Sequence, residues 1–349
     1  MSLSNDCAMG GCVDNVLLDN LPKLTSVSFG HIEKFKISRS PNVEQLTLNG
    51  IDSAASFRLI GQASKLRHLS INSIQFSDPE AFQAIGNLPE LETLRIMGNG
   101  VADESLAMLD GFPKLKSIYI PDGVFSAVGL RHLKTLKYLE EITLGEVGDE
   151  GEPLACLNEL PRLRRLEIIK GDIGLLKLSG LMQFNGLRVM ANYGTLHLQD
   201  LPLLGSLRLD EKQQIHRLAL IDLPVLDEVV VYPNKKQLLE HVSLRELPRL
   251  TEINIRSARP NKQLTDECFR HLASFRNLED LNLDNSRVTE ETLEQLAQLP
   301  QLRQVSLYNT PLNEAAIDRL KSNTAAEKLS LYWRIDPSSG LDEHGEFKK

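Results

Sequence analysis

Apolar residues return along the chain in one recurring phrase. The stretch from Leu299 to Leu307 reads Leu-Pro-x-Leu-x-x-Leu-x-Leu, and close copies run from Leu21 to Phe29, Leu88 to Ile96, Phe112 to Ile120, Leu160 to Ile168, Leu201 to Leu209, Leu223 to Val231 and Leu247 to Ile255. Copies without the proline lie at Ala63 to Ile71, Leu136 to Leu144, Phe184 to Asn192 and Phe275 to Leu283. The closing Leu-x-Leu alternation predicts a short strand with both leucines on one face. Numbered by the first residue of the core, repeats begin at Leu24, Val43, Leu66, Leu91, Leu115, Leu139, Leu163, Leu187, Leu204, Leu226, Leu250, Leu278, Leu302 and Ala326. Most intervals are 24 residues, but those before Leu204 and Leu226 shrink to 17 and 22.

The segments between strands divide into two kinds. Thr289 to Leu296 carries a threonine cap, acids in the first turn and leucines spaced three apart, which predicts a helix. Ser77 to Leu88, Asp103 to Leu109, Ser126 to Leu136, Thr265 to Phe275 and Asn313 to Leu320 follow the same pattern. The shortened intervals have no room for a helix and instead show a second alternation just before each Leu-Pro: Leu196-His197-Leu198, Leu218-Ala219-Leu220 and Val242-Ser243-Leu244, echoed by Val16-Leu17-Leu18 and Phe35-Lys36-Ile37. These predict strands on the outer face. Strands stack about 4.8 Å apart and helices about 8–10 Å, so the array is expected to bend where helices back it and to flatten over residues 195–248.

A fixed period in this range with one short strand per unit resembles the leucine-rich-repeat family over residues 16–333. Its usual Asn, Cys or Thr three residues after the last strand leucine is matched by Asn99, Thr195, Asn234 and Thr310, with Ser286 in the same slot, but Gly123, Val147 and Gly171 stand there elsewhere. The cap-plus-acid helix starts are similar to those of bacterial members with 24-residue repeats. The resemblance implies an α/β fold: a right-handed solenoid in a horseshoe arc, with a parallel sheet on the concave face and mixed helices and short strands on the convex one. The expected organisation is a tail over 1–14, one repeat domain over 15–334 and a polar tail over 335–349. A single repeat cannot bury its own leucines, so an isolated one is expected to be unfolded.

Composition narrows the partners. A net charge of −8 with no basic stripe argues against nucleic acid. No apolar run is long enough for a membrane span and no secretory signal opens the chain, so a soluble, cytoplasmic protein is expected. The array begins at Val16 without an amphipathic cap, which raises a homodimer through the first repeat. Cys7 and Cys12 are close enough to pair under oxidising conditions. His132 and His271 occupy the same slot in two repeats, Leu130-Arg131-His132-Leu133 and Phe269-Arg270-His271-Leu272, and have no metal-ligand spacing around them. No glycine-rich phosphate loop or catalytic constellation is present, and neither a cofactor nor a metal is expected.

What remains is the face opposite the leucines. Alternation puts three outward columns on the concave sheet, before, between and after each Leu-x-Leu pair. Tyr119, Tyr193, Tyr232, Tyr308 and Tyr332 fall in these columns, which hold about an eighth of the chain, so chance would place fewer than one of the six tyrosines there. Tyrosine favours strands, yet it is also a residue of binding surfaces. Ile169, Val189, Tyr193, Val230 and Tyr232 are expected to form an apolar patch beside Glu228, Glu252, Asp280 and Asp284. The expected function is a non-catalytic scaffold that docks a protein or peptide with basic and apolar groups there. Two alternatives stand beside it: the sensor array of a larger enzyme or signalling protein, and carbohydrate binding through the tyrosines.

Overall fold

The computed structural model describes residues 2–5, 13–38, 42–51, 57–74, 79–148, 154–209, 213–232 and 239–334. The Cys7–Cys12 pair and the tail over 335–349 lie outside them. The chain forms two compact units, residues 1–172 with 186–191 and residues 173–185 with 192–349. Both are stacks of leucine-rich repeats, with parallel strands hydrogen-bonded from each repeat to the next.

The first unit holds β1 (Ser2–Asn5), β2 (Val13–Asp19), β3 (Ser26–Ser38), β4 (Gln45–Ile51), β5 (His68–Ile74), β6 (Thr93–Gly98), β7 (Ser117–Phe125), β8 (Glu141–Gly148), the start of β9 (Arg165–Ser179) and β10 (Gly186–Val189). Their front sheet runs β1-β3-β4-β5-β6-β7-β8-β9, with β10 on β9. The segment expected to be a tail therefore contributes a strand: Ser2 to Asn5 pair with Ser26 to Phe29, beside the first repeat. The front leucines are dry, with Leu69, Leu94, Ile118, Ile142 and Leu166 all within 1% of full burial.

β3 and β9 are long because the chain runs from the front sheet to the back without a helix. The second half of β3 pairs with β2, from Val13↔Ile32 to Asp19↔Ser38. In β9 the crossing passes Gly171, at φ +142°, where a Cβ would lie 1.9 Å from the Val147 carbonyl oxygen. Only glycine fits there, which explains why this repeat lacks the family's polar residue at that slot.

The second unit contains the rest of β9, then β11 (Asn192–Gln199), β12 (Ser206–Leu209), β13 (Ile215–Ile221), β14 (Glu228–Val231), β15 (His241–Arg245), β16 (Glu252–Ile255), β17 (Asp280–Asn282), β18 (Gln304–Ser306) and β19 (Ser330–Tyr332). Its front sheet is β12-β14-β16-β17-β18-β19 and its back sheet is β9-β11-β13-β15. The outer strands expected at 196–198, 218–220 and 242–244 are β11, β13 and β15. Leu196, Leu198, Leu218, Leu220, Val242 and Leu244 point into the core from the back. Five strand-backed repeats return to the front through a left-handed residue just before Leu-Pro or Leu-Met: Asn20, Gly180, Asp200, Asp222 and Glu246 have φ between +51° and +69°.

One expected position is corrected by pairing. The repeat period puts Leu187 first in its core, but β10 pairs Leu187 with Leu166 and Val189 with Ile168, so the core is Phe184-Leu187-Val189. The intervals are then 21, 20 and 22 residues from Leu163 to Leu226, an even contraction instead of one gap of 17.

Short helices back the remaining repeats: α1 (Phe57–Ile60), α2 (Ala127–Leu130), α3 (Asp266–Phe269), α4 (Glu290–Leu296) and α5 (Glu314–Asn323). The segments expected as helices at 77–88 and 103–109 are 3-10 turns, Pro79–Ile85 and Asp103–Gly111. Their helix starts are stapled between repeats. Asp266 Oδ1 accepts hydrogen bonds from Thr289 N (2.8 Å) and Thr292 Oγ1 (2.6 Å), while Oδ2 accepts from Thr289 Oγ1 (2.9 Å). Asp103 holds Ser126 in the same way, at 2.8 Å to N and 2.5 Å to Oγ. The acid after each cap thus orients the next repeat's cap residue, beyond any interaction with its own helix dipole.

Because Thr292 is fully buried, removing its partner leaves a hydroxyl unsatisfied. Asp266→Ala is expected to lower unfolding stability by about 2 kcal/mol, measured by urea titration, and Asp266→Asn to retain part of it. An unchanged midpoint for Asp266→Ala would remove the staple from the account.

Candidate recognition surface

Strand pairing sets the outward columns of the front sheet. In the first unit, Gln45, His68, Thr93, Ser117, Glu141, Arg165 and Gly186 stand in one row across adjacent strands, and Thr47, Ser70, Arg95, Tyr119, Thr143, Glu167 and Arg188 in the next. Most charges there are internally matched. Arg165 pairs with Glu141 at 3.4 Å and Arg188 with Glu167 at 2.6 Å, and the Arg95 guanidinium lies 4.1 Å over the Tyr119 ring. Tyr119 and Ile169 are half-buried on this face, as alternation requires.

A second ladder runs along the entrance to the strands. Glu92 takes both Arg67 and Lys116, the latter at 2.6 Å, Lys114 meets Glu90 at 2.7 Å, and Arg164 meets Glu140 at 3.6 Å. Hydrogen bonds from Lys116 and then Arg67 hold the Glu92 carboxyl well below the usual range, at about 2. This ladder was legible: the residue after each first core leucine runs Arg67, Glu92, Lys116, Glu140, Arg164, alternating in sign at the repeat period. Columns drawn only from the strand onward miss it.

The second unit differs. Ser206, Glu228, Glu252, Asp280, Gln304 and Ser330 form the first row, Arg208, Val230, Asn254, Asn282, Ser306 and Tyr332 the middle one. Three acids therefore stand on consecutive strands, about 4.8 Å apart in the backbone. Arg208 Nε donates to Glu228 Oε2 at 2.9 Å, leaving Glu252 and Asp280 with no ion pair to a described residue. Burial first, then the neighbouring Glu228 and Asp280 charges, push the Glu252 carboxyl up. Asp284 serves the fold, its Oδ1 accepting from Ser306 Oγ (2.6 Å) and Tyr308 N (2.8 Å). Tyr232 lies under Arg256 at 5.3 Å, Tyr308 is half-buried, and Tyr332 is 55% exposed.

Three residues of the expected patch are not on the surface. Val189 is 2% exposed because it is the inward core residue of β10, and Met190, at 37%, takes the outward place. Tyr193 is 1% exposed because it opens the back strand β11 and points into the core, where burial pushes its hydroxyl far up. Both errors follow from the three-residue shift at Leu187. Val230 is outward by register but only 1% exposed. Arg208 stands beside Val230 in register on β12 and reaches to Glu228, two residues before the valine on the same face. The expected apolar patch does not form, and four of the five column tyrosines remain on the face.

No protein-family model matches the chain, and no curated protein sequence does. Among solved structures, a leucine-rich-repeat protein of Leptospira interrogans is 18% identical, with a TM-score of 0.48 over 85% of this chain and 74% of its own. An internalin from Listeria monocytogenes is 16% identical, TM-score 0.44, over 84% and 82%. The LRIM1/APL1C complex is 15% identical, TM-score 0.45, over 94% and 70%.

The Glu92 ladder has a defined pH signature. Its folded value near 2 lies below the ordinary carboxylate value, so its contribution is present above that ordinary value and fades as pH falls toward 2. Glu92→Gln is expected to cost up to about 1 kcal/mol at pH 7, with the gap narrowing steadily below pH ~4.5. A gap in the denaturation midpoints that is constant from pH 7 to 3 would contradict this.

Proposed function

We propose that this leucine-rich-repeat chain is a non-catalytic recognition scaffold, and that the front sheet of its second unit docks a protein or peptide bearing cationic and apolar groups. The observation that carries the reading is the pair Glu252 and Asp280. They stand side by side on a sheet face whose other acids and Arg256 already have contacts, Glu228 with Arg208, Asp284 with Ser306 and Tyr308, and Arg256 with Tyr232. Holding Glu252 ionised there works against burial and two like charges. A cation from a partner would offset both costs, and the half-exposed rings of Tyr232 and Tyr308 supply contact area at low entropic cost beside it. Unfavourable arrangements of this kind are tolerated where binding uses them.

Affinity capture from the native source, with mass spectrometry, tests the reading directly. Glu252→Gln with Asp280→Asn is expected to weaken the recovered partner's binding by roughly tenfold or more. The same Glu252→Gln change should leave the protein slightly more stable at pH 7, since a raised carboxyl destabilises the fold above its ordinary value, and that gain should vanish in acid. Full affinity in the double variant would place recognition elsewhere.

A further inference from the structure

The back sheet of the second unit has the opposite charge character. Alternation across β9, β11, β13 and β15 turns Lys177, Ser179, Thr195, His197, Gln199, Arg217, Ala219, Ile221, His241, Ser243 and Arg245, with Leu175, away from the core. No carboxylate occurs at these positions, in a chain with 47 acidic and 39 basic residues. Lys177, Arg217, His241 and Arg245 are exposed, and small residues separate them: Ala219 and Ser243 lie in register with His197. Arg217 and His241 also border an open depression of about 470 Å³ with Glu240 and Gln263. Glu240 is engaged by His216 at 3.0 Å. Among the described residues no element of the unit covers this sheet face, so the fold leaves outward strand positions that hold cations and no acid on one side of the unit, with Asp200, Asp222 and Glu246 just past the strand ends, and the Glu252–Asp280 step on the other.

We propose that the back sheet of the second unit docks the acidic front sheet of a second copy of the same chain. The proposal rests on the reading of the front face as a recognition surface and names one occupant for it. Charge complementarity selects the copy: the step that lacks a cation and the plane that lacks an acid are carried by the same unit, both on stacked parallel strands with the same ~4.8 Å spacing. Two different faces meet in such a contact, so it is heterologous and leaves one free face of each kind after every addition. Assembly then grows with concentration instead of stopping at two copies. Contacts built on exposed charge are also screened by salt.

Sedimentation velocity on the full chain over a concentration series, at about 50 and about 500 mM salt, tests this. The wild type is expected to show a weight-average sedimentation coefficient that rises continuously with concentration at low salt and falls back toward the monomer at high salt. Arg217→Glu with Arg245→Glu, and separately Glu252→Lys with Asp280→Lys, should each weaken association roughly tenfold or more. Mixing the two charge-reversed variants should restore it, because each reversed face then meets its complement; circular dichroism of each variant alone checks that it is folded. A monomer at every concentration, a plateau at the dimer, association that survives both reversals, or a mixture that stays monomeric would each overturn the proposal. The reading of the front face is judged apart from it. Arg217→Glu with Arg245→Glu leaves the front sheet intact, so a wild type that stays monomeric at every concentration, beside capture of a foreign partner by this variant, would reject self-docking and keep front-face recognition.

Discussion

Everything in this molecule follows from a repeat being unable to keep its own leucines dry. Leu207, Val229, Ile253, Leu281 and Val305 are each within 2% of full burial because strands lie in register from one repeat to the next. The hydrogen bonds that align the strands therefore also align the leucines, and the same register sets which side chains face outward. Fold and surface are one consequence of a single ladder.

What closes the back of each repeat is the variable that the chain adjusts. Most intervals of 23 residues or more are filled by short helices and 3-10 turns, and Asp103 and Asp266 accept hydrogen bonds from the next repeat's cap. A strand fills the three contracted intervals of 20–22 residues and also the 24-residue interval from Leu226 to Leu250, where β15 lies, and in all four a left-handed residue turns the chain back to the front. The second unit is built from both kinds. Its strand-backed repeats carry cations at their outward positions, while its front strands carry an acidic row, so one unit presents two faces of unlike charge.

The repeats, the strands at 196–198, 218–220 and 242–244, and the outward positions of Tyr119, Tyr232, Tyr308 and Tyr332 were legible in the sequence, because alternation and interval length report them directly. The failures are local and have physical causes. At Leu187 two apolar triplets compete, Phe184-Leu187-Val189 and Leu187-Met190-Asn192, and no proline marks the frame; only strand pairing resolves them. That shift put the core residues Val189 and Tyr193 on the surface. Val230 is outward by register yet 1% exposed, and burial of an outward position is something no single-strand pattern encodes. Asp284 looked like part of a binding row and is instead a bracket for β18. Conversely, the alternating ladder from Arg67 to Arg164 was visible at the repeat period and lay one column outside those drawn.

Front and back sheets of the second unit share one core, so they are expected to open together. Native-state hydrogen exchange measures it most directly, by comparing the amides of Leu196, Leu218 and Leu220 on the back strands with those of Val229 and Ile253 on the front. A shared core predicts opening free energies that agree within about 1 kcal/mol and shift together with denaturant. Back-strand amides that exchange early while the front strands stay protected would show that the back sheet is an appendage, and would contradict the account.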